Sequence, residues 1–280
     1  MSLPSSSGLE LAAEVLRGRR VLVAFSGGLD SSVLAVLARD HAERAVLLTV
    51  DTPLISEEDR LNAVRVAREL GMEHLIVSVD WLQDDELTQN SRDRCYRCKK
   101  KLARIWLDEA ARLGLDMVVE GTSATDMASF RPGERALREL GVESPFLRAG
   151  VTRASIREFA ERVGLSVADR PSSACLATRI PYGAKVTLDR LRMIERMEDF
   201  IRTEFGVRCV RARYHGDLVR IEIGVDEMEK VLERSILNRI HVMARGLGFE
   251  HAALDAGGYR SGSFDESSPD PGDLMASDDG

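Results

Sequence analysis

The stretch Ser26-Gly27-Gly28-Leu29-Asp30-Ser31-Ser32 follows an apolar run, Val21-Leu22-Val23-Ala24-Phe25, and leads into a helical pattern from Ser31 to about His41. A strand that enters a helix through Ser-Gly-Gly aims bare backbone N–H groups at one point. Together with the helix dipole, those groups form an anion site, most often one for phosphate. Adjacent glycines permit close approach of a ligand and tolerate positive φ. Asp30 separates this loop from a generic glycine turn, because a carboxylate beside bound phosphates calls for a metal ion between them. The Lys-Ser/Thr ending of a Walker loop and the Gly-x-Gly-x-x-Gly dinucleotide fingerprint are both missing. The ordinary alternative is a tight strand–helix turn that binds nothing.

Other residues could join that chemistry. Val118-Val119-Glu120-Gly121-Thr122-Ser123-Ala124-Thr125-Asp126 reads as a strand, a tight turn and a short helix. Gly121 and Thr122 could bring backbone groups to a nucleotide, and Asp126 could share Mg²⁺ with Asp30 or simply oppose a helix dipole. Asp51, after the second apolar run, could bond a ribose or base, or only start a turn. Cys95 and Cys98 form a C-x-x-C pair inside the basic run Arg92–Lys101, while Cys175 and Cys209 stand alone. Cys175 precedes Arg179 by four residues in an irregular, proline-bounded stretch, where a guanidinium would favour the reactive thiolate. Arg211 and Arg213 alternate along one strand, so both face one side. Glu222 on the partner strand and Glu198 on the preceding helix are the acids at hand, and a plain salt-bridge face is the alternative.

The elements that must position these groups follow from periodicity. Strands are expected at 20–25, 45–50, 74–79 and 116–120, and helices at 9–17, 31–41, 57–70 and 99–113, with Gly71 and Gly114 as C-caps. Strands alternating with helices of this length imply right-handed βαβ units, a doubly wound parallel sheet and ligands at strand carboxyl ends. A helix from about Thr152 to Val163, capped by Thr152, closes this half, giving an α/β domain over residues 1–165. Residues 166–186 form a cysteine-bearing connector. A smaller α+β domain over 187–264 is expected for substrate binding or oligomerisation. It has a helix at 187–205, a hairpin of strands 208–214 and 218–224 joined by His215-Gly216-Asp217, a helix near 227–246 and a strand at 250–254.

With 280 residues, 44% hydrophobic and 30% charged, the chain has the composition of a soluble globular protein. No apolar run approaches the roughly 20 residues that cross a bilayer, and the start lacks the basic and apolar regions of a secretory signal. A cytoplasmic location is expected. The net charge of −7 is concentrated in residues 265–280, which carry six acids and no Lys or Arg. That Ser/Pro/Asp/Gly-rich tail is expected to be disordered, and the near-neutral remainder does not announce a nucleic-acid binder. Four cysteines in such a chain make no disulfide framework.

The glycine loop resembles the pyrophosphate (PP) loop of ATP pyrophosphatases, which cleave ATP between its α and β phosphates to adenylylate a substrate. The order of motifs is similar to that of the LarE family of sulfur transferases, which help build the nickel-pincer nucleotide of lactate racemase. Those motifs are Ser26–Ser32, Arg94-Cys95-Tyr96-x-Cys98-Lys99, Glu120-Gly121-Thr122, Ala174 to Gly183, Val210–Arg213, Arg220-Ile221-Glu222 and Gly258 to Ser263. The resemblance runs from about residue 8 to 264. It implies that Ser26, Gly27, Gly28, Asp30 and Ser31 hold ATP with Mg²⁺, alongside the candidates Ser32, Asp51, Gly121 and Thr122. It further implies that Arg179, Arg211 and Arg213 receive a phosphate and that a pyridinium dicarboxylate mononucleotide is converted to a thiocarboxylate. Its members divide by sulfur source. Either Cys175 gives up its own sulfur, or Cys95, Cys98 and Cys175 hold a [4Fe–4S] cluster, the reading favoured for this chain. A sulfur donor, a nickel-insertion protein and other copies of the chain are the expected partners, with no nucleic acid and no membrane. Two other readings stay open: a tRNA-thiolating or amide-forming relative, and a non-catalytic nucleotide-binding module.

Overall fold

The structure, a computed structural model, describes residues 6–128, 132–171 and 173–260. The acidic stretch 265–280 and Ser261–Ser263 lie outside the described residues. The chain divides into two compact units, the division falling between Ser173 and Ala174.

The first unit contains, in order, α1 (Ser6–Leu16), β1 (Arg20–Ala24), α2 (Leu29–His41), β2 (Arg44–Asp51), α3 (Glu57–Leu70), β3 (His74–Ser78), α4 (Asp85–Thr88), α5 (Arg94–Arg112), β4 (Met117–Val119), α6 (Pro132–Glu139), α7 (Pro145–Arg148) and α8 (Arg153–Arg162). The four strands form one parallel sheet in the order β3-β2-β1-β4. Side-chain alternation along β1 builds both layers of the core. Val21, Val23 and Phe25 pack with α1, α2, α3 and α8 on one face, and Leu22 and Ala24 with α5 on the other. The doubly wound α/β class expected from the sequence is the fold observed.

Local chemistry explains the helix boundaries. Ser56 caps α3 by accepting from the Asp59 N–H, Gly71 ends it at φ +64°, and Thr152 caps α8 by accepting from Ser155 N–H. α5 begins five residues earlier than the periodicity suggests. Buried Asn90 takes φ +57°, an αL turn that asparagine tolerates, and launches the helix at Arg94. Cys95 and Cys98 therefore lie on the first two turns of a helix.

The second unit contains α9 (Leu188–Phe205), β5 (Val210–His215), β6 (Leu218–Ile223), α10 (Arg234–Gly246) and β7 (His251–Leu254), with a short 3₁₀ turn at Leu176–Arg179. β5 and β6 form the expected hairpin through Gly216, and β7 runs parallel to β6. One expectation is corrected. The helix near 227–246 is two pieces, a 3₁₀ segment Val225–Val231 and then α10. Glu227 turns inward to accept from the Arg208 and Cys209 N–H groups, which an uninterrupted surface helix would not allow.

Candidate functional site

Between β1 and β4 the strand order reverses, and the crevice at their carboxyl ends is where open α/β sheets bind ligands. Gly28 is the N-cap of α2 and, lacking a side chain, places no capping oxygen over the first amides. Gly27 takes φ +69°, and a Cβ there would lie 2.5 Å from the Ala63 Cα, so glycine is needed both for the turn and for the packing against α3. Asn62, buried on α3, donates to the Gly27 carbonyl at 2.7 Å and fixes the loop from below. Ser31 Oγ donates to the Gly28 carbonyl and lies 3.1 Å from Ser26 Oγ, closing the turn on itself. Ser32 Oγ is fully buried and meets no hydrogen-bond partner among the described residues.

The loop after β4 comes directly against this helix start. A Cβ on Gly121 would stand 3.1 Å from Ser31 N. Thr122, by contrast, turns inward: its N–H and Oγ donate to the buried Glu120 carboxylate at 3.1 and 2.8 Å. Asp126 accepts from Ser123 N–H and Oγ, both at 2.9 Å, which closes the following turn. Asp51 ends β2, and its carbonyl accepts from Val79 N–H. Sequence reasoning missed Arg153. It opens α8, its N–H donates to Thr125 Oγ, and its guanidinium lies 3.8 Å from Asp30 Oδ2. A cation in the first turn opposes the helix dipole, so periodicity alone gave no reason to single it out.

Cys95 and Cys98 are both half-buried, three residues apart on α5. Buried Trp81 donates its indole N–H to Cys98 Sγ at 3.2 Å, and buried Arg94 reaches Cys95 Sγ at 3.7 Å. N–H donors aimed at sulfur suit thiolate or metal-bound sulfur better than an apolar pocket would. The pair could supply two ligands to a metal. Cys175 and Cys209 belong to the second unit, and among the described residues no group of three or more His, Cys, Asp or Glu is gathered as a metal site.

In the second unit, Arg179 is only 2% exposed, and its donors are widely used. Nε and Nη2 reach the two Glu198 oxygens at 2.9 and 3.2 Å. Nη1 reaches the carbonyls of Ala174 and Cys175, so the Cys175 loop is wrapped around the guanidinium. Buried Glu222 accepts from both Arg213 and Arg220, and Arg213 also donates to the Thr178 carbonyl. Arg211 is opposite Glu222 in the ladder but lies over the Tyr259 ring, 5.0 Å from its centroid, and donates to the Val210 carbonyl. Burial, and then the nearby Arg179 charge, lower the Arg211 pKa. Glu198 is pulled the other way: burial would raise its pKa, but Arg179 and Arg211 hold it below the usual carboxylate value. The arrangement brings Arg179, Arg211, Arg213, Glu198 and Glu222 together in one unit, with Cys175 beside Arg179.

A glycine-built amide cradle at the switch point of a parallel sheet, with a carboxylate one residue into the helix, defines an α/β nucleotide-binding protein of the PP-loop class. A family model described as asparagine synthase matches residues 11–124, the segment from α1 to the loop after β4. The pyridinium-3,5-bisthiocarboxylic acid mononucleotide synthase of Lactiplantibacillus plantarum is 32% identical over 253 residues, covering 89% of this chain and 90% of that protein. An uncharacterized protein of Synechocystis is 31% identical over 88% of this chain and 91% of its own length. A tRNA-specific 2-thiouridylase of Geobacter metallireducens is 24% identical over 55% of this chain and 54% of its own. The chain belongs to the LarE family. No helix of the described residues is long and apolar enough to cross a membrane.

Proposed function

We propose that the chain is an ATP-dependent, AMP-forming sulfur transferase acting on a pyridinium dicarboxylate mononucleotide in nickel-pincer nucleotide synthesis. The observation that carries this reading is the uncapped α2 start, with Gly27, Gly28 and Gly121 converging on it, in a chain 32% identical to a named synthase over 89% of its length. The amides of the loop, with Ser26 and Ser31, bind the ATP phosphates. Ser32, buried in the first turn of α2, and Asp51, at the end of the adjacent strand, are further candidates for the nucleotide site.

A substrate carboxylate attacks the α phosphorus of ATP, and pyrophosphate leaves. The carboxylate, a poor acyl donor, is now an acyl adenylate. A sulfur nucleophile attacks the acyl carbon and AMP departs, leaving the thiocarboxylate. The cradle amides offset charge developing on pyrophosphate. Asp30 fits a Mg²⁺ ligand role, being a half-buried carboxylate at the anion site. Mg²⁺ would neutralise phosphate charge there, whereas Asp126 has one oxygen committed to Ser123. Arg211, with Arg179 and Arg213, receives the substrate phosphate, while Glu198 and Glu222 hold the arginines in place.

Cys175 is the sulfur-handling residue of this reading. The Trp81 and Arg94 donors fit Cys95 and Cys98 as metal-bound thiolates, and the family resemblance adds Cys175 as the third residue that would hold a [4Fe–4S] cluster. Such a group would supply a replaceable sulfide; without it, Cys175 Sγ forms the thioester as AMP leaves, and loss of the Cys175 Cα proton then breaks its Cβ–Sγ bond, releasing the thiocarboxylate and leaving dehydroalanine. A tRNA substrate draws less support, since Arg97 pairs with Glu86 and Asp93, Lys100 with Glu139 and Lys101 with Asp84. The basic run is thus largely neutralised by its own neighbours.

The test is pyrophosphate release by anaerobically purified protein given ATP and either the pyridinium dicarboxylate mononucleotide or tRNA. Release that depends on the mononucleotide, with one oxygen exchanged for sulfur in the product, is expected. ATP consumed only with tRNA, or not at all, would overturn the reading. Iron and sulfide that co-purify, and are lost from Cys95→Ala, separate the cluster route from a Cys175 that loses one sulfur per turnover.

A further inference from the structure

The arginine cluster of the second unit carries a residue that the proposed chemistry does not yet use. Glu198 is held by Arg179, Glu222 by Arg213 and Arg220, and Asp255 by Arg220 at 3.0 Å. Arg202 also reaches Glu198, at 3.6 Å, and Arg211 stands beside both Arg179 and Glu198. Arg211 is 5% exposed, and the Arg179 charge acts against it. Guanidinium groups buried this close together are stabilised by an anion.

What lies over Arg211 is Tyr259, with the guanidinium carbon 5.0 Å from the ring centroid. The backbone puts considerable structure into placing that ring. Asp255 N–H donates to the Ile221 carbonyl and Tyr259 N–H to the Ile223 carbonyl, both at 2.8 Å, so the chain after β7 continues along β6 in the same direction. Between them Gly258 takes φ +64°, and a Cβ there would lie 2.9 Å from the Ile223 carbonyl oxygen. Only glycine makes that turn without strain. A ring stacked on the face of a guanidinium adds attraction yet uses none of its in-plane N–H donors.

We propose that Tyr259 is a positioning residue of the second unit, its ring fixing the plane of Arg211 so that the guanidinium edge addresses a phosphate monoester of the substrate. This rests on the reading of Arg211 as part of the substrate site. The role belongs to the aromatic face and not to the hydroxyl, so phenylalanine substitutes for it. Loss of the ring leaves Arg211 charged but free to rotate, and anion affinity falls while the nucleotide cradle of the first unit is untouched.

The experiment is calorimetric titration of the full chain with nicotinic acid mononucleotide, a pyridinium phosphate monoester, and separately with ATP. Tyr259→Leu should weaken mononucleotide binding roughly three- to thirtyfold, Tyr259→Phe should stay within about twofold, and neither should change ATP affinity. Arg211→Gln sets the floor, and near-UV circular dichroism confirms that each variant is folded. In turnover the Leu variant should raise KM for the mononucleotide with kcat little changed. Leu binding as tightly as wild type, or Phe losing as much as Leu, overturns the role of the ring while leaving the substrate assignment standing. A wild-type chain that binds ATP but not the mononucleotide overturns both.

Discussion

The glycine loop of the first unit and the arginine cluster of the second both concentrate positive potential, by opposite means. The loop uses partial charges on backbone amides, and its side chains are small: glycines where Cβ atoms would clash, and serines that close the turn. The cluster uses full charges in the interior, each arginine held by a carboxylate or a backbone carbonyl. A backbone-built site fails when a Cβ is added. A side-chain network fails when one ion is removed, because its partner is left buried and charged. Function and stability are therefore separable at the loop's carboxylate, Asp30, and coupled in the cluster.

The largest effect should come from Glu198→Ala, which strands Arg179 and frees the Ala212 N–H that Glu198 also accepts. A loss of about 3–5 kcal/mol is expected for a buried pair broken on one side, read by urea unfolding. A loss below about 1 kcal/mol would mean water reaches the pair and the contrast with the loop is false. Asp30→Asn should do the reverse. Its contact with Arg153 is long, 3.8 Å, and half-exposed, so unfolding should change by under about 1 kcal/mol. Pyrophosphate release should nevertheless fall about a hundredfold or more. Equal losses of stability and turnover would break the separation.

Gly27→Ala sharpens the comparison from the other side. An alanine at φ +69° costs about 1–2 kcal/mol, before its Cβ is forced into the Ala63 backbone. A melting temperature lowered by several degrees, together with loss of measurable ATP binding, is expected from a change of one methyl group. Retained ATP affinity would show that the loop rearranges and that its glycines are not what shapes the cradle.

The two regions also differed in how much of them was legible in the sequence. The loop announced itself because its signal is local: an apolar strand, two glycines and a helical period within a few residues. The same locality made the parallel sheet and most helix ends readable, down to Gly71 and the Thr152 cap. Three things were not legible. Arg153 meets Asp30 across 123 positions of sequence, with nothing in either neighbourhood to suggest it. The early start of α5 depends on the αL turn at Asn90, which a polar, arginine-rich stretch conceals. In the cluster, strand alternation put Arg211 and Arg213 on one side and opposite register put Glu222 near. The actual pairing of Glu222 is with Arg213 diagonally and with Arg220 along β6, and the Tyr259 ring beside Arg211 was not announced by alternation or register.

The smallest effect tests whether the second unit's dependence on ions extends beyond its arginines. Glu227 is nearly buried; burial would raise its pKa, yet the Lys230 ammonium and the N–H groups of Cys209 and Arg208 bring it down to about 2. A carboxyl whose pKa is lowered on folding adds stability above its unfolded value, near 4.5, and loses it as pH falls toward 2. Glu227→Gln should therefore cost on the order of 2 kcal/mol at neutral pH, and the gap from wild type should close between about pH 4.5 and 2. The same substitution in the first unit offers the control: Glu57, exposed on α3 and paired with Arg60, should show almost no gap at any pH. A Glu227 gap that is constant with pH would mean the glutamine loses packing and not charge. The breaking of the expected 227–246 helix would then need another cause than the capture of the Arg208 and Cys209 amides.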